Sequence, residues 1–330
     1  MELMDQLKPN PEKTVLVNAE MPLRATFFPL GFPVEIITNS SEVIEAASQS
    51  WKIFPQRFET PPITLRLGVT SNPPDSSFLP PAPLCRIQAN TLLHIADKYN
   101  FVSCDLSGGS AFGWVTELTA RSPLYLRYHI LESAIYCMMS TIRVVALHAA
   151  CITSNGFGML LCGDSGAGKS SLAFAGARSG WIFTSDDATY LLRGRNDNSV
   201  VGNCHQFRLR DSGAQLFPEL EGRPITPRAA GKPSLEIPTT ELSGITISET
   251  AKIQAIVFLN RNDVTKSELL PFSKNFAHKL ADPADYTKTI SPVEHGAAID
   301  NLLKLPTYEL RYTDLDWAID RLNHLAQHGS

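Results

Sequence analysis

Residues 157–180 read FGMLLCGDSGAGKSSLAFAGARSG, and very few backbone courses suit such a stretch. An apolar run of strand length breaks into glycines, then resumes with apolar residues at helical spacing and stops at Gly180. That is a buried strand, a tight loop and a helix in direct succession. The loop, Gly163-Asp164-Ser165-Gly166-Ala167-Gly168-Lys169-Ser170, fits G-x-x-x-x-G-K-[ST] at every fixed position. Glycines let successive backbone N–H groups turn inward toward one anion, and a helix starting near Lys169 adds its positive end. Lys169 brings a full charge to β- and γ-phosphates, and the Ser170 hydroxyl suits Mg²⁺. The sequence therefore predicts that Gly163 to Ser170, with Ser171 beside them, bind ATP with Mg²⁺.

The flanking text predicts an α/β chain. LRATFFPLGFPVEIITN reads as two strands about a turn at Gly31, SSEVIEAASQSWKIF as a capped helix and ITLRLGV as a strand. The proline-rich NPPDSSFLPPAP of residues 72–83 is a loop, and CRIQA, TLLHIA, FVSCDL and GWVTEL follow as strands. Residues 1–120 thus form a small α/β domain of unassigned role, whose His94 and His129 belong to core or surface. Residues 121–330 form the domain around the loop. Its first piece, 122–142, is a connector helix opening on Ser122 with Pro123 at the first helical position. VVALHAACITS and GFGMLLC pair as a hairpin through SNG, WIFTS stops at Asp186-Asp187, and AKIQAIVFLN is a further buried strand. Two helices around TYELRY close the chain.

Three side chains point to chemistry on the bound phosphate. Adjacent carboxylates at a strand end can divide the work, one meeting the metal and the other taking a proton from an attacking hydroxyl. His148, a lone ring in an apolar strand, can orient such a carboxylate. Candidates for a cationic clamp are Arg208, Arg210, Arg228 and above all Lys232, with His205 weaker. The net charge of −4 and the dispersed basic residues argue against a nucleic-acid partner, so an anion must be held by a local device. No apolar stretch is long enough to cross a bilayer, the start lacks a signal-peptide pattern, and six scattered cysteines read as reduced thiols. A cytoplasmic protein without membrane contacts is expected.

The stretch from LHAACITS through GDSGAGKSS to SDDATYL, about 45 residues, resembles the catalytic core of the HPr kinase/phosphorylase family. Looser similarity reaches GFPVEIITNSSEVIEAA, GKPSLEIP and LPTYELRYTDLDWAI. The resemblance implies a P-loop kinase core like that of HPr kinase and phosphoenolpyruvate carboxykinase, not a parallel-sheet NTPase. It implies Asp186 as base toward the acceptor, His148 in support, Lys169 at the phosphates and Asp187 with Ser170 at the metal; the two aspartates are interchangeable at this level. A homo-oligomer is a further implication. Ser171 stands where the family carries glutamate, and no Arg-Glu-Asp-Thr-like segment follows, which points away from HPr as substrate and from reverse phosphorolysis. The expected function is ATP-dependent phosphorylation of a hydroxyl on a protein, a peptide or a small molecule. A P-loop NTPase switch and a non-catalytic ATP sensor or scaffold are the alternatives.

Overall fold

The structure, a computed structural model, describes residues 20–73, 78–195, 197–226, 233–261, 264–272 and 292–328. Arg228 and Lys232, both proposed for the clamp from sequence, lie outside the described residues. The protein is mixed α/β and divides into two compact units, Met1–Met138 and Met139–Ser330. The division falls inside the helical run that follows residue 122, whereas the sequence reading drew it at 120/121. No helix among the described residues is long and apolar enough to cross a membrane.

The first unit is one seven-stranded sheet. β1 (Leu23–Phe27) pairs antiparallel with β2 (Val34–Thr38), and α1 (Ser41–Trp51) carries the chain to β3 (Ile63–Thr70), parallel to β2. The meander β4 (Leu84–Gln88), β5 (Thr91–Ile95), β6 (Phe101–Asp105) and β7 (Ser110–Thr116) then returns to β3, so the order is β1-β2-β3-β7-β6-β5-β4. Val43, Ala46, Ala47 and Trp51 form the buried stripe of α1. His94 is a core residue here, 1% exposed. Helices α2 (Glu117–Ala120) and α3 (Pro123–Tyr125), a π-helical stretch over Leu126–Glu132 and α4 (Ser133–Ile142) follow. Pro123 opens the run as expected. Ser122 makes no side-chain cap, and its hydroxyl donates back to the Leu118 carbonyl at 3.1 Å.

The second unit is built on a ten-stranded mixed sheet. VVALHAACITS, one strand by its apolar pattern, is two: β8 (Val144–Leu147) and β9 (Ala149–Ser154), broken at His148. β9 turns through Asn155 and Gly156, both at positive φ, into β10 (Phe157–Cys162), the hairpin expected from SNG. α5 (Lys169–Arg178) leads to β11 (Ile182–Ser185), and then come β12 (Thr189–Leu192) and β13 (Ser199–Gly202). β14 (Gln206–Leu209), α6 (Asp211–Ala214) and β15 (Leu235–Pro238) form an excursion in which β14 and β15 pair with each other. β16 (Thr246–Ile247), β17 (Thr250–Asn260), β18 (Glu268–Pro271), α7 (Pro292–Leu302), β19 (Thr307–Arg311) and α8 (Leu315–His328) complete the chain. The order is β16-β11-β9-β10-β17-β13-β12-β8, with β19 also on β17 and β18 on β19.

Both faces of this sheet are covered. Ala150, Ile152, Met159, Leu161, Ala255 and Val257 pack with α5 and α8, while Cys151, Leu160, Cys162, Ile256 and Phe258 pack with Leu302 and Ile299 of α7. Burial on both faces is why these strands read as unbroken apolar runs. Each large side chain so buried contributes roughly 1.5–3 kcal/mol, and Leu172 and Phe174 anchor α5 in this way.

Candidate active site

Strand order brings four chain segments to one edge of the sheet. β9 lies between β10 and β11 and runs antiparallel to both, so the end of β10, the end of β11 and the start of β9 share that edge. β17 is parallel to β10, with Phe258 opposite Cys162, so its end arrives there too. The loop Gly163–Gly168 follows β10, Asp186-Asp187 follow β11, His148 precedes β9 and Arg261 follows β17. A cleft of about 370 Å³ opens among them, lined by His148, Lys169, Ser170, Ser171, Asp187, Arg208, Arg210 and Arg261 with Ser165, Gly166 and Gly168.

The loop needs its glycines. Gly163, Gly166 and Gly168 have φ of 151°, 98° and 99°, where side chains are strained. A Cβ on Gly168 would stand 2.6 Å from Tyr312 Oη, while one on Gly166 would meet nothing within 4 Å. α5 begins with no acidic residue in its first turn and no side-chain cap, so its first amides and positive end face a bare concavity.

Lys169 is 6% exposed. Its ammonium donates to the Gly163 carbonyl at 2.8 Å and to His148 Nε2 at 2.9 Å. Burial pulls its pKa below the ordinary lysine value, with Asp187 opposing. An imidazole accepting at Nε2 carries its proton on Nδ1, the nitrogen that faces Asp187 Oδ1 at 3.6 Å. Carboxylate, imidazole and ammonium therefore stand in series along the cleft.

The two aspartates are in different surroundings. Asp187 is largely exposed and lines the cleft. Asp186 is 6% exposed and is not among the residues lining it. The Asp186 carboxylate accepts the Arg208 backbone N–H, and its carbonyl accepts the Ser170 hydroxyl at 3.3 Å. Burial pushes its pKa up to about 7 against the pull of Arg208. The family resemblance implies a base at Asp186 and a metal contact at Asp187, with the two interchangeable, and the carboxylate on the cleft wall is that of Asp187.

Of the clamp candidates, Arg210 donates to the Ser165 hydroxyl across the loop, and Arg208 faces Glu236 at 3.7 Å while lining the cleft. His205 is not brought in: its Nε2 meets Glu249 Oε1 at 3.0 Å away from the cleft wall. Arg261 was missed. Its signal is a cation closing the apolar strand AKIQAIVFLN, which a reading centred on the loop passes over.

The donor set bears on the metal. Among the described residues no group of three or more His, Cys, Asp or Glu side chains is arranged to hold a metal ion by itself. Ser170 and Asp187 are hard-oxygen donors beside the glycine loop, and either is of the kind that suits Mg²⁺.

No family model matches the chain, and no curated protein is matched either. Among solved structures the HPr(Ser) kinase/phosphatase from Coxiella burnetii is similar at 14% identity, over 56% of this chain and 99% of that one, with a TM-score of 0.30. An agreement that loose carries no inference about chemistry.

Proposed function

We propose that this protein is a P-loop phosphotransferase that moves the γ-phosphate of ATP to a hydroxyl. The observation that carries this reading is the series Asp187–His148–Lys169 along the wall of the glycine cleft. A protein that only binds nucleotide needs the lysine and a metal ligand but has no use for a proton acceptor beside the γ-phosphate.

In this reading the backbone of Gly163–Gly168 and the first turn of α5 hold the phosphates, and Lys169 shifts its ammonium from the Gly163 carbonyl to their oxygens. Mg²⁺, held by Ser170 and the phosphates, would neutralise charge on the transferring group. Asp187 accepts the proton of the acceptor hydroxyl, and His148 keeps that carboxylate aimed. The acceptor oxygen bonds to the γ-phosphorus as the bond to the bridging oxygen breaks, and the electron pair leaves with the diphosphate. Asp186 serves from behind, fixing Ser170 and the start of the Arg208 segment. Arg208 and Arg210 stand where charge develops.

The test is transfer of labelled γ-phosphate into the macromolecular and small-molecule fractions of a lysate. Asp187→Asn is expected to lower turnover at least ~10²-fold while ATP still binds. Asp186→Asn is expected to cost less. Label that appears equally with Asp187→Asn overturns the assignment of the base. ATP bound or hydrolysed with no acceptor labelled overturns the kinase reading in favour of a switch or a sensor.

A further inference from the structure

A second cavity, of about 290 Å³, lies on the far side of the glycine loop. It is lined by Gly163–Ala167 and by the end of β17, with Phe258, Asn260, Arg261, Phe272 and, from the middle of β19, Glu309. Ser165, Gly166 and Arg261 line both cavities, so they form the crest between them. We infer that the nucleoside half of the nucleotide occupies this second cavity, with Arg261 on the crest gripping the leaving diphosphate. The inference rests on the phosphotransferase reading and adds a direction to it.

Geometry supplies the direction. In phosphoryl transfer the attacking and leaving oxygens lie roughly in line on opposite sides of the phosphorus. Asp187 and His148 mark the attacking side, on the wall of the first cleft. The leaving oxygen, and the diphosphate and nucleoside behind it, then point over the crest at Ser165 and Gly166. Beyond that crest lies the second cavity.

Arg261 suits the crossing. Among the described residues no carboxylate forms an ion pair with it; its guanidinium lies 5.5 Å from the centre of the fully buried Tyr312 ring. The same ring carries the hydroxyl that approaches Gly168, so the arginine is braced on the element that closes the loop. A planar fork with several donors can hold two oxygens of a diphosphate in one fixed bidentate geometry. Past it, Phe272 packs on Phe258 at 4.7 Å between ring centres and offers an apolar plate for a base. Asn260 donates to Glu309 at 2.8 Å, which fixes an amide and a carboxylate where nucleoside polar groups would reach them.

The experiment titrates the full-length protein with MgATP and, separately, with inorganic tripolyphosphate, which has the phosphates but no nucleoside. Arg261→Ala is expected to weaken both ligands at least about tenfold. Phe272→Ala is expected to weaken ATP about five- to tenfold and leave tripolyphosphate within about twofold, as loss of a base-stacking ring would. Arg261→Lys, expected to keep the fold and part of the loss, gives the answer if the alanine variant does not fold. Unchanged affinities in the arginine variants overturn the inference, and so does a Phe272→Ala protein that loses both ligands equally or neither. A wild-type protein that binds neither ligand refutes the P-loop reading itself.

Discussion

The two units each contain a joint at which a buried strand turns into a helix and the strand then lies parallel to its neighbour, β2–α1 beside β3 and β10–α5 beside β17. In the first joint two residues make the turn, and side chains fill it. Asn39 accepts the Val69 N–H at 2.8 Å and donates to the Val69 carbonyl at 2.9 Å. The Ser40 hydroxyl donates to Glu42 at 2.6 Å, and that bond holds the carboxyl below its ordinary pKa. The helix thus brings its own anion to its positive end. In the second joint six residues make the turn, three are glycines at positive φ, and the first helical turn has no acid. Lys169, Arg210 and Arg261 stand around it instead. A strand-to-helix joint whose helix brings its own anion is complete, whereas one half made of glycine, with no acid in the first helical turn and cations around it, leaves the positive end of its helix open to an anion.

Removing Lys169 breaks the contrast most severely. Lys169→Ala is expected to lower phosphate transfer by ~10²–10³-fold and to weaken ATP binding, read by label transfer and by titration. Glu42→Gln, in the other joint, leaves both unchanged. Gly168→Ala comes next. The positive φ and the Tyr312 hydroxyl together should cost about 2–3 kcal/mol in denaturant unfolding, against about 1 kcal/mol for Gly166→Ala, which meets strain but open space.

Asp186 gives an effect of definite sign, read as a slope against pH. Its folded pKa near 7 lies above the ordinary value of 3.8, so the folded protein holds a proton that the unfolded chain has lost. That contribution is full below about pH 4 and is lost as pH rises through 7. Wild-type stability should decline as pH rises over that window, and Asp186→Asn should remove this component of the slope in thermal unfolding at several pH values. The smallest effect is stability in Glu42→Gln, about 0.5 kcal/mol after solvent screening.

Much of this was legible in the residues. The loop was readable because its conformation is local: three glycines and a lysine at fixed spacing specify a curl whatever surrounds it. The strands of the second unit were readable because burial on both faces writes an apolar run, and the Asn155-Gly156 turn announced its hairpin. The same run concealed the break at His148. Val144–Leu147 and Ala149–Ser154 are equally apolar, yet the first pairs with β12 and the second with β10 and β11. Periodicity reports burial and not the identity of the neighbour.

From the residues alone it follows that a glycine-rich curl sits between a buried strand and a helix, and that paired carboxylates end the next strand. Strand pairing in three dimensions is what turns Asp187 and not Asp186 to the cleft, sets His148 between Asp187 and Lys169, and brings Arg261 in from a strand nearly a hundred residues on. The reason is physical. A backbone curl is set by the φ preferences of its own few residues. The company it keeps is set by which strands pair, and that pairing is a balance of burial across the whole sheet.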